Sequence, residues 1–158
     1  MSSLGCHSNQ FLLKQCYPCR QQQPHVERLP CQVVRRLFCR TYHFISSDTS
    51  VCGPQYSFVI KKAFSCQTSG LIYCISCRRW PVVYIGETGR TLRQPFGEHL
   101  RSIEKNLPGL PVAERFNTAG HPIDDALVRG MMLSVDNAQR KRLEMRLRFN
   151  LAPVSHAA

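Results

Sequence analysis

The sequence lacks any apolar run long enough to cross a bilayer. Lys14, Gln15, Lys61 and Arg78 interrupt each candidate well before the roughly 18 to 20 residues that a spanning helix needs, so no membrane partner is expected. Met1 to Gln10 also lack the basic start and sustained apolar stretch of a secretory leader, which predicts an intracellular, reducing setting. Acidic residues are few: 10 against 21 lysines and arginines, for a formal charge of +11 and a pI near 9.6. That excess favours a polyanionic partner, nucleic acid first, although charge speaks to association rather than fold.

Cysteine, by contrast, is plentiful. The count is nine, and an odd count excludes complete internal disulfide pairing. The 158 residues leave room for one compact domain and an irregular extension, not for two large cores. Cys16-x-x-Cys19 and Cys74-x-x-Cys77 have the spacing of a metal knuckle, in which two thiolates of a tight turn reach one tetrahedral ion. Zinc at these cysteines stands beside the alternative of ordinary buried or reactive thiols.

From Met1 to about residue 42, Gln21-Gln22-Gln23, Pro18, Pro24 and Pro30 are mixed with Arg and Cys, and no periodicity persists. Loop or disorder is expected there. Residues 43–69 form a pre-domain segment with one strand, carried by the alternation Tyr56, Phe58, Ile60 and expected to add an edge to the sheet that follows. Leu71 to Ile75 and Pro81 to Gly86 are rich in β-branched and aromatic residues and read as an antiparallel hairpin. Leu92, Phe96, Leu100 and Ile103 then recur at helical spacing, and Val112, Ala113 and Phe116 suggest a shorter helix. A third strand follows over Ala126 to Leu133. Asp136 or Asn137 caps a last helix whose Leu143, Leu147 and Leu151 share one face, with Glu144 beside them.

The landmarks Leu71-Ile72-Tyr73, Tyr84-Ile85-Gly86 eleven positions after Tyr73, an Arg- and His-bearing helix and a late helical Glu together resemble the GIY-YIG nucleases. The fuller run from Tyr84 to Arg93, with Glu98-His99, Phe116-Asn117 and Gly120-His121, is similar to the subtype attached to Penelope-like retroelements. The resemblance covers about residues 70–151. It implies a small α/β sandwich: a mainly antiparallel three-stranded sheet near 71–76, 82–86 and 126–132, flanked by helices near 92–105 and 138–151, with a tail over 152–158. It also implies metal-dependent hydrolysis of DNA phosphodiester bonds with one Mg2+ or Mn2+ ion. In that chemistry Tyr73 and Tyr84 orient or deprotonate a water, His99 takes the helical histidine place, Glu144 holds the metal, and an arginine clamps the phosphate.

Three positions depart from the pattern. Pro95 stands where the arginine is expected, four residues before His99. Arg93 is the nearest guanidinium and the substitute candidate, but two helical positions rotate a side chain by about 200°. Trp80 and Arg115 replace a third cysteine and a histidine of the subtype, so a zinc site built on Cys74 and Cys77 would be incomplete. Arg78, Arg79, Arg90 and Arg101 are expected to contact phosphates without reading bases. Nuclear DNA is the implied target, and no obligatory protein partner is implied. Two alternatives stay open: a nucleic-acid-binding remnant without turnover, with Pro95 and a basic face as its signature, and a zinc-binding interaction module using the cysteines.

Overall fold

The computed structural model describes residues 39–53, 56–79 and 83–151. Expectations for residues 1–38, for Trp80 and for the tail lie outside the described residues. After a 3-10 turn, Arg40–Phe44, come β1 (Ser50–Cys52), β2 (Ser57–Val59), β3 (Ser69–Cys77), β4 (Val83–Thr91), α1 (Arg93–Glu104), α2 (Pro111–Thr118), a second 3-10 turn (Ile123–Asp125), β5 (Ala126–Leu133) and α3 (Asn137–Leu151). The main sheet has the order β4-β3-β5, with both pairings antiparallel, so the fold is α/β with a three-stranded antiparallel sheet flanked by helices.

Central β3 supplies two cores because successive side chains of a strand point to opposite faces. Leu71, Tyr73 and Ile75 enter a cluster with Leu92, Phe96, Leu100 and Ile103 of the α1 region and Val112, Ala113 and Phe116 of the α2 region. Ile72 and Cys74 enter a second cluster with Val51, Ile60, Phe64, Ile85, Met131, Leu147 and Leu151. Phe96, Leu100 and Ile103 are the i, i+4, i+7 stripe expected of α1. Burying each such side chain contributes roughly 1.5 to 3 kcal/mol. The stripe of α3 likewise turns inward, with Leu147 and Leu151 buried and Leu143 packed at the margin.

Two expectations are corrected. The strand around Phe58 does not extend the main sheet; β2 pairs with β1 in a separate two-stranded sheet, in register Val51 with Phe58. Alternation predicted the strand, but it carries no information on which neighbour completes the ladder. Packing also begins earlier than residue 70: Cys39, Phe44 and Ile45 are buried in the first core, and the Phe44 ring meets Phe96 edge-on at 5.5 Å.

Local chemistry explains the element boundaries. Gly70 has φ +62°, a left-handed conformation natural to glycine, and it sits at the register shift between Ser69 and Leu71 where β3 bulges. At the start of α3 the Asp136 carboxylate accepts the Gln139 N–H at 2.5 Å, the expected cap. At the start of α1, Gln94 lies inside the helix. Arg93 opens α1, and the Gln94 side-chain oxygen reaches back to accept from the Thr91 N–H and hydroxyl at 3.2 and 3.1 Å. Pro95 is thereby at the third helical position, where its missing N–H has no intrahelical acceptor to lose.

Candidate active site

Register places Tyr73 on β3 opposite Gly86 on β4. A Cβ at residue 86 would come within 2.8 Å of the Tyr73 ring carbon Cζ and hydroxyl, and within 3.0 Å of Tyr84 Cε1. The glycine therefore opens the space over which both rings lean. His99 enters from α1, its Nε2 3.2 Å from the Tyr73 hydroxyl. Its ring lies 5.0 Å from that of Tyr84, edge-on, and 6.2 Å from that of Tyr73; the two tyrosine rings are 6.4 Å apart. Three residues separated by up to 26 positions thus form one cluster.

Burial sets the protonation of this cluster. Desolvation is the first cause raising the phenol of Tyr73, with the charges of Tyr84 and Glu144 adding to it. Tyr84 is raised first by burial and then by Glu144, against a smaller lowering by Arg148. His99 moves the other way, because burial disfavours its cation more than the neighbouring Glu98 favours it. All three are held neutral near pH 7. With the imidazole proton on Nδ1, the Tyr73 hydroxyl donates to Nε2.

Glu144 projects from α3, its side chain 20% exposed and 3.5 Å from Arg148. Burial raises its carboxyl, and the charge of Glu87 raises it further, while Arg148 and Lys141 oppose the shift. Its charge reaches both tyrosines, which puts it in electrostatic range of the cluster. No group of three or more His, Cys, Asp and Glu side chains is gathered among the described residues.

The arginines divide. Pro95 is buried in α1, so no guanidinium stands at its position. Arg93 is exposed at the first position of α1 and lines a surface depression of about 420 Å³ with Arg40, Arg90, Gln94 and Arg101, which none of the three rings lines. Arg90 grips Glu98 through two bonds of 2.8 and 3.0 Å, and it is the guanidinium whose electrostatics register Tyr73. Arg78 and Arg79 follow the far end of β3, where Arg79 pairs with Asp125 at 2.5 Å. Because β3 and β4 run antiparallel over nine residues, that end and the Arg90 end are roughly 25 to 30 Å apart. The four expected phosphate contacts therefore do not make one patch.

The cysteine knuckle is corrected outright. Cys74 and Cys77 lie in one continuous strand rather than a turn, and three positions along a strand point to opposite faces. Cys74 is fully buried in the second core, which pushes its thiol up to about 11, whereas Cys77 faces the first core and meets His121 Nδ1 at 3.1 Å. They cannot share an ion. Cys16 and Cys19 lie outside the described residues.

One arrangement was not foreseen. Arg140, in the first turn of α3, is buried and bonds the Glu87 carboxylate at 2.9 Å, the Ser134 and Val135 carbonyls at 3.0 and 2.8 Å, and Asn137 Oδ1 at 3.2 Å. It ties the strand carrying Tyr84 to the helix carrying Glu144. Its only signal in sequence is an acidic residue directly after Tyr84-Ile85-Gly86, too little to name a partner 53 positions away.

No protein-family model matches the chain, and no curated protein or solved structure matches it.

Proposed function

We propose that the chain is a divalent-metal-dependent endonuclease of the GIY-YIG type, hydrolysing DNA phosphodiester bonds, derived from a Penelope-like retroelement and slowed by Pro95. The observation that carries this reading is the convergence of Tyr73, Tyr84 and His99 over Gly86, with Glu144 in electrostatic reach of both phenols. Action on genomic DNA would place it in the nucleus.

The donor set suits one hard cation. Glu144 offers a carboxylate in a desolvated setting, and Mg2+ or Mn2+ commonly binds one or two carboxylates while keeping several waters. Such an ion supplies positive charge to a non-bridging phosphate oxygen. The chain's own residues do the rest. Phenols whose ionisation is opposed orient a water rather than act as bases: Tyr84 can donate to it, Tyr73 can accept from it, and neutral His99, which accepts from the Tyr73 hydroxyl, is the group through which a proton can leave.

Supercoiled-plasmid nicking in Mg2+ or Mn2+ tests the reading, with Glu144→Ala as the decisive variant. Nicking should fall to background while the urea midpoint stays put. Unchanged nicking in that variant sinks the assignment. Buried Pro95 specifically favours a second reading, a DNA-binding remnant without turnover. Salt-sensitive DNA binding with no nicking in either metal would select it.

A further inference from the structure

The first core contains a thiol pair that the nuclease reading does not use. The Cys39 thiol donates toward Cys66 Sγ at 3.3 Å, bridging 27 positions of sequence. Cys39 is 7% exposed and Cys66 fully buried. A disulfide has its sulfurs about 2.05 Å apart, so closure needs roughly 1.2 Å, within what rotation of two side chains supplies.

Both ends of this contact support α1. The Cys66 carbonyl accepts the Arg93 N–H and the Thr68 carbonyl accepts the Leu92 N–H, each at 2.9 Å, so the loop through Cys66 seats the helix N-terminus. Cys39 leads into the turn that carries Phe44 onto Phe96 and Arg40 onto Glu104. A covalent link between them would tie together two separate props of one helix.

We infer that Cys39 and Cys66 form a redox modification site, converted to a disulfide by exchange with a small-molecule disulfide. The Cys39 thiolate, from the less buried partner, attacks one sulfur of the reagent, forms a mixed disulfide and expels one small thiolate. The Cys66 thiolate then attacks the Cys39 sulfur, forms the internal bond and expels the second. Two protein thiols are oxidised, one small disulfide is reduced, and the two cysteine protons end on the two released thiols. Since Cys66 already lies against Cys39, the mixed disulfide is short-lived. Nothing in this step depends on the tyrosine cluster.

The test uses the full chain, equilibrated with oxidised and reduced glutathione over a range of ratios, alkylated and mapped by peptide mass spectrometry. A peptide linking residues 39 and 66 should appear with the loss of two hydrogens, and the melting temperature should rise by about 10 °C and return on reduction. Cys39→Ser, at the more accessible end, should abolish both the link and the rise. Full alkylation of both thiols in oxidised glutathione alone overturns the inference. So does pairing of either with a different cysteine, a link without a thermal shift, or a shift that persists in Cys39→Ser.

Discussion

The two faces of the three-stranded sheet are made by the same strands yet are chemically unlike. Toward α1 and α2, Tyr73, Tyr84 and His99 interrupt an otherwise apolar layer with hydroxyls and an imidazole. Toward α3 and the small sheet, Ile72, Cys74, Ile85 and Met131 make a layer whose thiol is too deeply buried to ionise readily. A period of two residues is enough to separate polar from inert material. α3 fills the inert layer with Leu147 and holds Glu144 within electrostatic range of both tyrosines. Substitutions should therefore separate cleanly into those that unfold the chain and those that silence it.

The largest effect is expected where α3 is tied to β4. Arg140 has its side chain 8% exposed, and its partner Glu87 is 21% exposed. Arg140→Ala strips the Glu87 carboxylate and two carbonyls of their donor, and breaking a buried pair from one side typically costs about 3 to 5 kcal/mol. Urea unfolding should show a loss of that order. A loss below about 1 kcal/mol would mean that water substitutes for the guanidinium and that α3 is not anchored to β4 there.

Next come two glycine substitutions that set one face against the other. Gly130→Ala would drive a methyl into Cγ of Phe64 in the inert core, close to the root of the side chain. Overpacking of this kind costs about 1 to 3 kcal/mol, and nicking per folded molecule should not change. Gly86→Ala meets the far ends of Tyr73 and Tyr84, which can swing away. Stability should change less and nicking much more. Equal losses of stability and unchanged nicking in both would erase the distinction between the faces.

A smaller gain is expected from Pro95→Arg. Residues 95 and 99 are one turn apart on α1, so an arginine there stands beside His99. One preorganised contact to a developing oxyanion is worth about 10² to 10³ in rate, and a graft onto an unprepared helix should recover at least about tenfold, or roughly 1.4 kcal/mol. DNA affinity at fixed salt should barely move. If Pro95→Arg leaves nicking unchanged, Arg90, already gripping Glu98 and within electrostatic range of Tyr73, becomes the guanidinium to vary.

Most of the fold was legible because it rests on period. The stripe Leu92, Phe96, Leu100, Ile103 and the stripe Leu143, Leu147, Leu151 each name a buried face without reference to anything distant. That Tyr73, Tyr84 and His99 lie together was implied by the family resemblance alone, since no period links β3, β4 and α1. Pairing did not follow: nothing in Ser57 to Val59 says that its neighbour is β1 rather than the main sheet, and nothing near Arg140 points to Glu87. The cysteine spacing misled because two residues between cysteines mark a knuckle only in a turn, whereas in a strand the same spacing sends the thiols apart. Residue type was readable at each point; long-range partnership was not.

The smallest effect expected is a pH slope that belongs to one face alone. The folded value of His99 is lowered, chiefly by burial, with Glu98 opposing and the neutral phenols of Tyr73 and Tyr84 packed against it. A lowered imidazole means that the unfolded chain binds more protons in the window between the two values, so stability rises with pH there. Above the unfolded value of about 6.5 the contribution is level; below it stability is lost until the folded value is passed. Glu144, raised by burial, acts in the opposite sense at more acid pH, since the folded form there holds the extra proton. His99→Gln should therefore flatten the decline in urea midpoint that sets in below about pH 6.5. Tyr73→Phe removes the hydroxyl at 3.2 Å but keeps the burial, so its slope should stay close to that of the unmodified chain. A slope abolished by Tyr73→Phe and retained in His99→Gln would assign the titration to another group, and the polar face would then be no more pH-sensitive than the inert one.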